Sequence, residues 1–327
     1  MKFGAVPVAE AEGAVLAHSL ALKGGRLRKG HFLTSADIGR LSDCGHQRVT
    51  VARLEPGDLD EDSAAAKLAA ALARDGMRLS NAATGRVNIF AEGPGIALID
   101  VAAIAAFNAV NPMITVATVP QYHRLDQGTM VATVKIISYG VPGEDVAKAA
   151  EAGREAIGVL KPRYRTATLI ETQTDVAPSP RGRAAMQGRL DRLQMALDDR
   201  VMTDHDVPNL SGALKAAQGD VVFILTASAT SDPHDIGPEA VRQAGGTVTQ
   251  FGMPVDPGNL LFLGKLGEKP VIGLPGCARS PALNGADWVL ERVICGVDLT
   301  PADFAEMGVG GLLKEIPTRP KPRADID

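Results

Sequence analysis

The segment that most constrains the fold of this chain is an apolar run at residues 220–226. It is apolar on both faces, which is typical of a central strand of a parallel sheet that helices cover on each side. Helix patterns flank it at residues 208–218 and from Pro238 to Gly245, with proline in the first turn and glycine at the end. Strands that alternate with helices predict a doubly wound α/β domain, in which ligands bind beyond the carboxyl ends of the strands.

The same alternation extends on both sides of this run. β-branched and apolar residues indicate the strands, and a 3.6-residue apolar period indicates the helices. Ser280 is placed to cap the last of these helices and Pro281 to begin it. The further predicted elements are strands at residues 168–170, 247–249 and 270–274 and helices at residues 182–197 and 281–294.

The length of 327 residues exceeds what one hydrophobic core usually serves, so several domains are expected. Short mixed elements come first, and a β-rich stretch with helices predicted at residues 101–110 and 144–160 follows. The predicted fold class is multi-domain α/β: a C-terminal three-layer α/β/α domain with a mostly parallel sheet, and smaller mixed α/β and β-rich N-terminal domains. The predicted divisions are 1–58 for the N-terminal segment, 59–164 for an α+β middle domain, 165–303 for the ligand-binding α/β domain and 304–327 for the tail.

Charge and cysteine content narrow the class of protein. A formal net charge of -4 gives no overall reason to expect nucleic acid as a partner. The three cysteines lie far apart and form no CxxC pair, which suits a reducing compartment. The longest apolar stretch, residues 96–110, contains Asp100 and Asn108 and is too short and polar to span a bilayer. We therefore predict a cytoplasmic protein that contacts neither membrane nor nucleic acid.

Three predicted loops leave the carboxyl ends of strands and lead into helices. They span residues 171–182, 226–235 and 273–280. A helix N-terminus offers free backbone N–H groups and a favourable dipole, so each loop is expected to favour an anionic ligand. The candidate ligand-binding residues are Gln173, Thr174, Thr226, Ser228, Thr230, Ser231, His234, Pro275, Gly276, Cys277, Arg279 and Ser280.

The second loop, residues 226–235, combines small and hydroxylated residues with two carboxylates. A phosphate is expected on its hydroxyls and amides, with Asp232 and Asp235 as catalytic residues that hold Mg²⁺ through oxygen ligands. The alternative is that Asp235 caps the following helix and the serines and threonines fill a turn. His234 is either a ligand contact or a solvated loop histidine.

The third loop, residues 273–280, begins with Leu-Pro-Gly directly after a buried strand. Arg279 is a candidate partner for a phosphate, against the alternative of a surface arginine in a turn. Cys277 either faces a metal or a pterin or is a free thiol without a role. The chain has no Gly-x-Gly-x-x-Gly pattern and no Walker A motif, which disfavours a conventional nucleotide-binding fold.

Two segments of these loops resemble a known family. Residues 235–240 resemble the Arg-Asp-Val-Thr-Pro-Glu-Ala segment of the molybdopterin-binding domain found in molybdopterin adenylyltransferases and molybdopterin molybdenumtransferases. Residues 257–259 and 271–276 resemble the Pro-Gly … Gly-Leu-Pro-Gly-Asn-Pro pattern of the molybdenumtransferases. Residues 10–18 are similar to the opening of that family's chains, and residues 307–313 to a bacterial subgroup associated with maturation of molybdenum hydroxylases.

The resemblance implies assembly of the molybdenum cofactor, with molybdopterin on the carboxyl edge of the sheet, Mg²⁺ nearby and a homodimer. Some positions depart from the family pattern. Thr-Gly-Gly becomes Thr226-Ala227-Ser228, the usual acid before the first helix has no clear counterpart, and Cys277 stands where the family has asparagine. These departures favour binding over turnover, because one carboxylate for metal-assisted catalysis is missing.

Three hypotheses follow. In the leading one the protein is a transferase of cofactor biosynthesis, which inserts molybdenum or transfers a nucleotide group on molybdopterin while the loop amides anchor the phosphate. In the second it is a non-catalytic carrier that delivers the cofactor to an apo molybdenum hydroxylase, or works beside a nucleotidyltransferase. In the third the fold binds some other phosphorylated nucleotide or pterin.

Overall fold

A computed structural model describes residues 1–256 and 258–313 of the chain. They separate into two compact units, one formed by residues 1–93 and 97–159 and the other by residues 94–96 and those from Leu160 onward. The divisions predicted from the sequence, after residues 58, 164 and 303, stay predictions. Residues 314–327 of the predicted tail lie outside the described residues.

The N-terminal half consists of short strands and four α-helices, with a 3-10 turn at Val8–Glu10. The strands are β1 (Lys2–Pro7), β2 (Val15–Leu16), β3 (Leu20–Leu22), β4 (Gly25–Leu27), β5 (Arg48–Arg53), β6 (Asp58–Asp60), β7 (Met77–Leu79), β8 (Arg86–Ala91), β9 (Gly95–Ile99), β10 (Ile114–Thr118), β11 (Arg124–Leu125), β12 (Met130–Ile136), β13 (Gly140–Pro142) and β14 (Ile157–Leu160). The helices are α1 (Ser35–Asp43), α2 (Glu61–Leu72), α3 (Val101–Ala109) and α4 (Gly143–Ala152).

Two buried clusters organise this first unit. The alanine-rich helix α2, capped by the Asp60 carboxylate, packs Leu68 and Leu72 against the antiparallel sheet β10-β12-β8-β7. A separate cluster beneath the sheet β1-β5-β2 contains Leu16 and Leu41. One prediction was wrong here: the helix expected at residues 144–160 ends at Ala152, and a turn with Glu155 at positive φ leads into strand β14.

The second unit carries the predicted βα alternation. Its strands are β15 (Thr166–Gln173), β16 (Ala196–Leu197), β17 (Val201–Asp204), β18 (Val221–Leu225), β19 (Thr247–Met253), β20 (Asn259–Leu266) and β21 (Lys269–Gly273). Its helices are α5 (Pro180–Asp191), α6 (Val207–Ala216), α7 (Ile236–Gln243), α8 (Gly285–Ile294) and α9 (Pro301–Glu306), with a 3-10 turn at Gly276–Arg279.

Strand β18 is fully buried at the centre of the second unit's sheet, as its apolar run predicts. It pairs in parallel with β15 on one side and β21 on the other. The far end of the sheet is antiparallel, because β20 returns beside β21 and β19 beside β20. The sheet is therefore mixed, and the carboxyl ends of β15, β18 and β21 meet at one edge.

Two helix predictions in this unit are corrected by the structure. The helix expected at residues 182–197 ends at Asp191, since Gln194 adopts a positive φ that turns the chain into β16. The helix expected from Pro281, with Ser280 as its cap, begins instead at Gly285. Asn284 caps it in a reciprocal capping box with Asp287, which satisfies more free amides than a serine four residues earlier could.

Candidate functional site

A cleft of about 410 Å³ lies at the carboxyl edge of the second unit's sheet. The chain folds this way because β18 and β21 are parallel neighbours, so the loops that leave them emerge side by side. The cleft is lined by Leu225, Thr226, Ala227, Ser228, Ala229, Thr230, Asp256, Gly258, Asn259, Leu260, Leu274, Pro275, Gly276, Cys277 and Arg279.

The second loop is folded by its own hydroxyl groups. The Thr226 hydroxyl donates to the Ser228 carbonyl at 2.6 Å and lies 3.4 Å from the Thr230 hydroxyl. From the neighbouring strand, the buried Thr172 hydroxyl accepts the Ala227 amide at 2.7 Å and lies 2.9 Å from His205 Nδ1. These bonds leave the exposed residues 227–229 at the wall of the cleft.

Arg279 joins the third loop to the second. Its Nη2 donates to the Thr226 carbonyl at 2.6 Å, so this nitrogen is already engaged by the protein. Its Nη1 lies 3.6 Å from the point where a Cβ at Gly182 would stand, beside the first turn of α5. A second pocket, of about 540 Å³, shares Arg279 with the cleft and is lined by Ser179, Arg181, Gly182, Gly276, Cys277, Arg279, Ser280 and Pro281.

The third loop is held from behind by Arg189 of helix α5, whose side chain is 3% exposed. Arg189 Nε donates to Asp287 Oδ1 at 2.6 Å. Its Nη1 and Nη2 donate to the carbonyls of Ala278 and Ser280, each at 2.9 Å, and Nη2 also reaches that of Ala282 at 3.3 Å. Burial of this charge is compensated because both the carboxylate and the loop carbonyls receive its N–H groups.

The two carboxylates predicted to hold Mg²⁺ are engaged elsewhere. Asp235 caps α7: one oxygen accepts the Ile236 amide at 2.7 Å and the other the Ser231 amide at 2.8 Å. Asp232 accepts the His234 amide at 2.8 Å. Neither residue lines the cleft or the second pocket. In the part of the chain that the structure describes, no group of three His, Cys, Asp or Glu side chains could hold a metal ion. Asp232 and Asp235 therefore do not fit a magnesium site.

The predicted binding residues divide into two groups. Eight of them, all from the second and third loops, line the cleft or the second pocket. Gln173, Thr174, Ser231 and His234 lie outside the lining of both. The gathered residues are Thr226, Ser228, Thr230, Pro275, Gly276, Cys277, Arg279 and, in the second pocket alone, Ser280.

Some lining residues were missed because they come from the strand β20 that the sequence did not reveal. Asp256, Gly258, Asn259 and Leu260 enter the cleft from the turn before and the start of this strand. The buried Asn259 uses Oδ1 to accept the Leu261 amide at 3.1 Å, at the start of the strand. The Pro-Gly-Asn motif that carried the family resemblance was the signal that could have found them.

A buried acid also escaped the sequence reasoning. Glu171, one residue before Thr172 in β15, is 0% exposed, and its Oε2 accepts from Arg200 Nε at 2.7 Å. Arg200 Nη2 also donates to the Pro178 carbonyl at 2.7 Å, so this pair fastens the first loop to the sheet. The first loop was predicted to begin at residue 171, but strand β15 continues through Gln173, so this carboxylate lies in the strand.

The charges that line the two pockets are mostly positive. Arg279 borders both, Arg181 borders the second, and the single carboxylate in either lining is Asp256. Hydroxyls and small residues surround the arginines, while Leu225, Leu260 and Leu274 give the cleft an apolar side. Fold and site together define an α/β domain that can bind an anionic small molecule at a sheet edge.

Comparison with known proteins gives limited likenesses. A family model described as a domain of unknown function, DUF8806, matches residues 5–53. No curated protein matches the chain. A molybdopterin biosynthesis moea protein from Pyrococcus horikosii is 14% identical with a TM-score of 0.31, over 91% of this chain and 76% of that one. A molybdenum cofactor biosynthesis protein from Pyrococcus furiosus is 11% identical with a TM-score of 0.23, over 85% of this chain and 59% of that one. Likenesses at these levels establish no function for this chain.

Among residues 1–256 and 258–313, no helix is long and apolar enough to cross a bilayer.

Proposed function

We propose that the second unit binds molybdopterin or the molybdenum cofactor, in the cleft at the carboxyl edge of its sheet. The observation that carries the proposal is the convergence there of Thr226, Ser228, Thr230, Gly276 and Arg279 from two strand-to-helix loops. The hydroxyls of Ser228 and Thr230 and the guanidinium of Arg279 are donors of the kind that a phosphate requires. The motif resemblance of residues 235–240 and 271–276 to the molybdopterin-binding domain supports the identity of the ligand.

The two ends of such a ligand would meet different walls. Its phosphate suits the end near Arg279, where the loop hydroxyls also lie. Its flat heterocycle suits the apolar side formed by Leu225, Leu260 and Leu274. The volume of about 410 Å³ lies in the range of small-molecule sites, and the second pocket offers further room beside Arg279.

The direct test is to purify the protein from a host that makes molybdopterin, oxidise the extract and measure fluorescent pterin by chromatography. We expect close to one pterin per chain. Arg279→Ala should lower the pterin content, while Arg192→Ala, an exposed arginine at the C-cap of α5, serves as the matched control. Absence of pterin, together with no binding of added molybdopterin by the wild type, would contradict the proposal.

Two roles within cofactor assembly stay open to experiment. One is transfer of molybdenum or of a nucleotide group on molybdopterin. The other is a non-catalytic carrier for an apo molybdenum hydroxylase, and one observation favours it: Asp232 and Asp235 are engaged by backbone amides outside the cleft. Neither carboxylate lines the cleft, so the geometry gives no support to turnover driven by a metal that they would hold.

Turnover separates the two roles. A transferase should give multiple turnovers with molybdate or with adenylylated molybdopterin, whereas a carrier should bind once and release the cofactor to an apo-hydroxylase. Pulldown of that hydroxylase should depend on bound cofactor only in the second case. The homodimer and the cytoplasmic location remain predictions, and sedimentation of the purified chain would test the first of them.

A further inference from the structure

The buried guanidinium of Arg189 donates six hydrogen bonds, to one carboxylate and to four backbone carbonyls. It is 3% exposed, and the carboxylate that neutralises it, Asp287, is equally buried at 3%. Besides that ion pair, its terminal nitrogens donate to the carbonyls of Ala185, Ala278, Ser280 and Ala282. A salt bridge alone would need only the carboxylate, so the loop carbonyls require a separate explanation.

Those carbonyls belong to the loop that forms one wall of the candidate site. The held carbonyls of Ala278 and Ser280 alternate along the chain with Cys277 and Arg279, and both of these residues line the cleft and the second pocket. Arg189 of helix α5 therefore binds the backbone of the third loop, while Cys277 and Arg279 of the same loop line the candidate site. Asp287, the remaining partner, also accepts the Asn284 amide and so fixes where the loop enters α8.

We propose that Arg189 is a positioning residue of the ligand site, which holds the third loop in its binding conformation without contacting the ligand. The inference rests on the proposed function for the identity of the ligand, but the geometry of the loop does not. Arginine suits this task because its planar fork presents five N–H donors in fixed directions. A lysine at the same place supplies one compact charge and cannot reach the carbonyls and the carboxylate together.

Arg189→Lys therefore separates a positioning role from simple charge compensation. Lysine keeps a cation beside Asp287, so the variant is expected to fold. We expect its affinity for molybdopterin to fall by about tenfold or more, as loss of preorganisation of a binding loop does. An affinity equal to that of the wild type would overturn the proposal, because the fork would then be unnecessary.

A second measurement does not depend on the ligand. Cys277 lies in the held loop and is partly exposed, so its alkylation rate by iodoacetamide reports changes in the conformation and exposure of the loop. Cys44 is removed by Cys44→Ser, and burial raises the pKa of the Cys295 thiol to about 12, which makes that cysteine slow to react. In this background Arg189→Lys should speed Cys277 alkylation about fivefold or more in the folded protein.

A matched control distinguishes loop opening from general loss of stability. Leu210→Ala removes a fully buried side chain of α6 from the core cluster that also contains Ile224 and Phe262. It should lower the melting temperature and leave the Cys277 rate unchanged well below that temperature. Equal acceleration in both variants would assign Arg189 a merely structural role and overturn the proposal.

The double variant Arg189→Met with Asp287→Asn removes both buried charges, and is used if Arg189→Lys does not fold. It should show the same faster alkylation of Cys277, since the loop carbonyls lose their donors. If the wild type fails to bind molybdopterin while the alkylation difference persists, the proposed function fails and the positioning role stands. If binding is normal and alkylation does not change, the positioning role fails alone.

Discussion

The second and third loops border the same cleft but are held by different interactions. The second loop is folded mainly by its own threonines and by its Asp235 cap, with tertiary bonds from Thr172 in the next strand and from Arg279 to the Thr226 carbonyl. The third loop is held chiefly by Arg189, which is separated from it by roughly ninety residues of chain and donates to its carbonyls from helix α5. The second loop is thus held mostly by bonds between residues close in sequence, whereas the third loop is held by a residue distant in sequence.

This difference determines what a substitution in each loop can do. The carboxylate bonds of Asp232 and Asp235 lie at the exposed end of the second loop, where water can replace them, so their loss costs little. A buried arginine has no such substitute, since the carboxylate and carbonyls it leaves behind stay desolvated. We therefore expect stability and site geometry to be more sensitive on the side of the third loop.

The largest effect is expected for Arg189→Met, which leaves the Asp287 carboxylate buried without its cation. Removal of one partner of a buried ion pair costs about 3–5 kcal/mol. Unfolding by urea should show this loss for the second unit. Arg242→Met is the control, because its ion pair with Glu239 is partly exposed and should contribute little. A loss for Arg189→Met as small as that of the control would show that both loops are held equally weakly.

Most of the second unit's alternation of strands and helices could be predicted from the sequence. Strand β18 is a continuous apolar run, and the helices around it carry a 3.6-residue apolar period. The third loop could not. Ser280 and Pro281 make a good local helix start, and only the capping box of Asn284 with Asp287, tied to Arg189, moves the start to Gly285. The local tendency of Ser280 and Pro281 to begin a helix is therefore outweighed by the buried contact between Arg189 and Asp287.

The candidate site was predictable to a similar degree. Residues of the second and third loops that border the cleft were chosen by their position after strands, which the parallel pairing of β18 and β21 justifies. The contribution of Asn259 and its neighbours required knowledge that β20 runs antiparallel beside β21. The open alternative for Asp235, a helix cap, is the arrangement that the structure has.

The next largest effect is expected for Thr172→Val, which removes the bond that ties the second loop to strand β15. Valine has nearly the same shape, so the change isolates the hydroxyl that accepts the Ala227 amide and contacts His205. Loss of a buried partner should cost about 1–3 kcal/mol. Hydrogen exchange of the Ala227 amide should accelerate, while exchange at Ala278 in the third loop stays as in the wild type. Acceleration at both sites would mean that the loops move together.

A smaller effect is expected for Asp235→Ala, which removes the N-cap of α7. Loss of such a cap costs about 1 kcal/mol, so thermal unfolding should begin only slightly earlier. Ligand affinity should stay nearly unchanged with and without Mg²⁺, because Asp235 does not line the cleft. Asp235→Asn, which retains one acceptor oxygen for either the Ser231 or the Ile236 amide, should recover part of the stability. A Mg²⁺-dependent affinity that only the aspartate supports would restore Asp235 as a metal ligand.

The smallest effect is expected for Asp232→Asn, at the exposed tip of the second loop. Asparagine can still accept the His234 amide, and only the negative charge is removed. The change in unfolding free energy should lie within about 0.5 kcal/mol, as for surface substitutions in general. If the charge near the cleft mattered, its removal would strengthen binding of an anionic ligand, and the effect would shrink as salt is added. An unchanged affinity at low and high salt would mean that the charge of Asp232 does not act on the site, and that this residue serves only the local structure of the second loop.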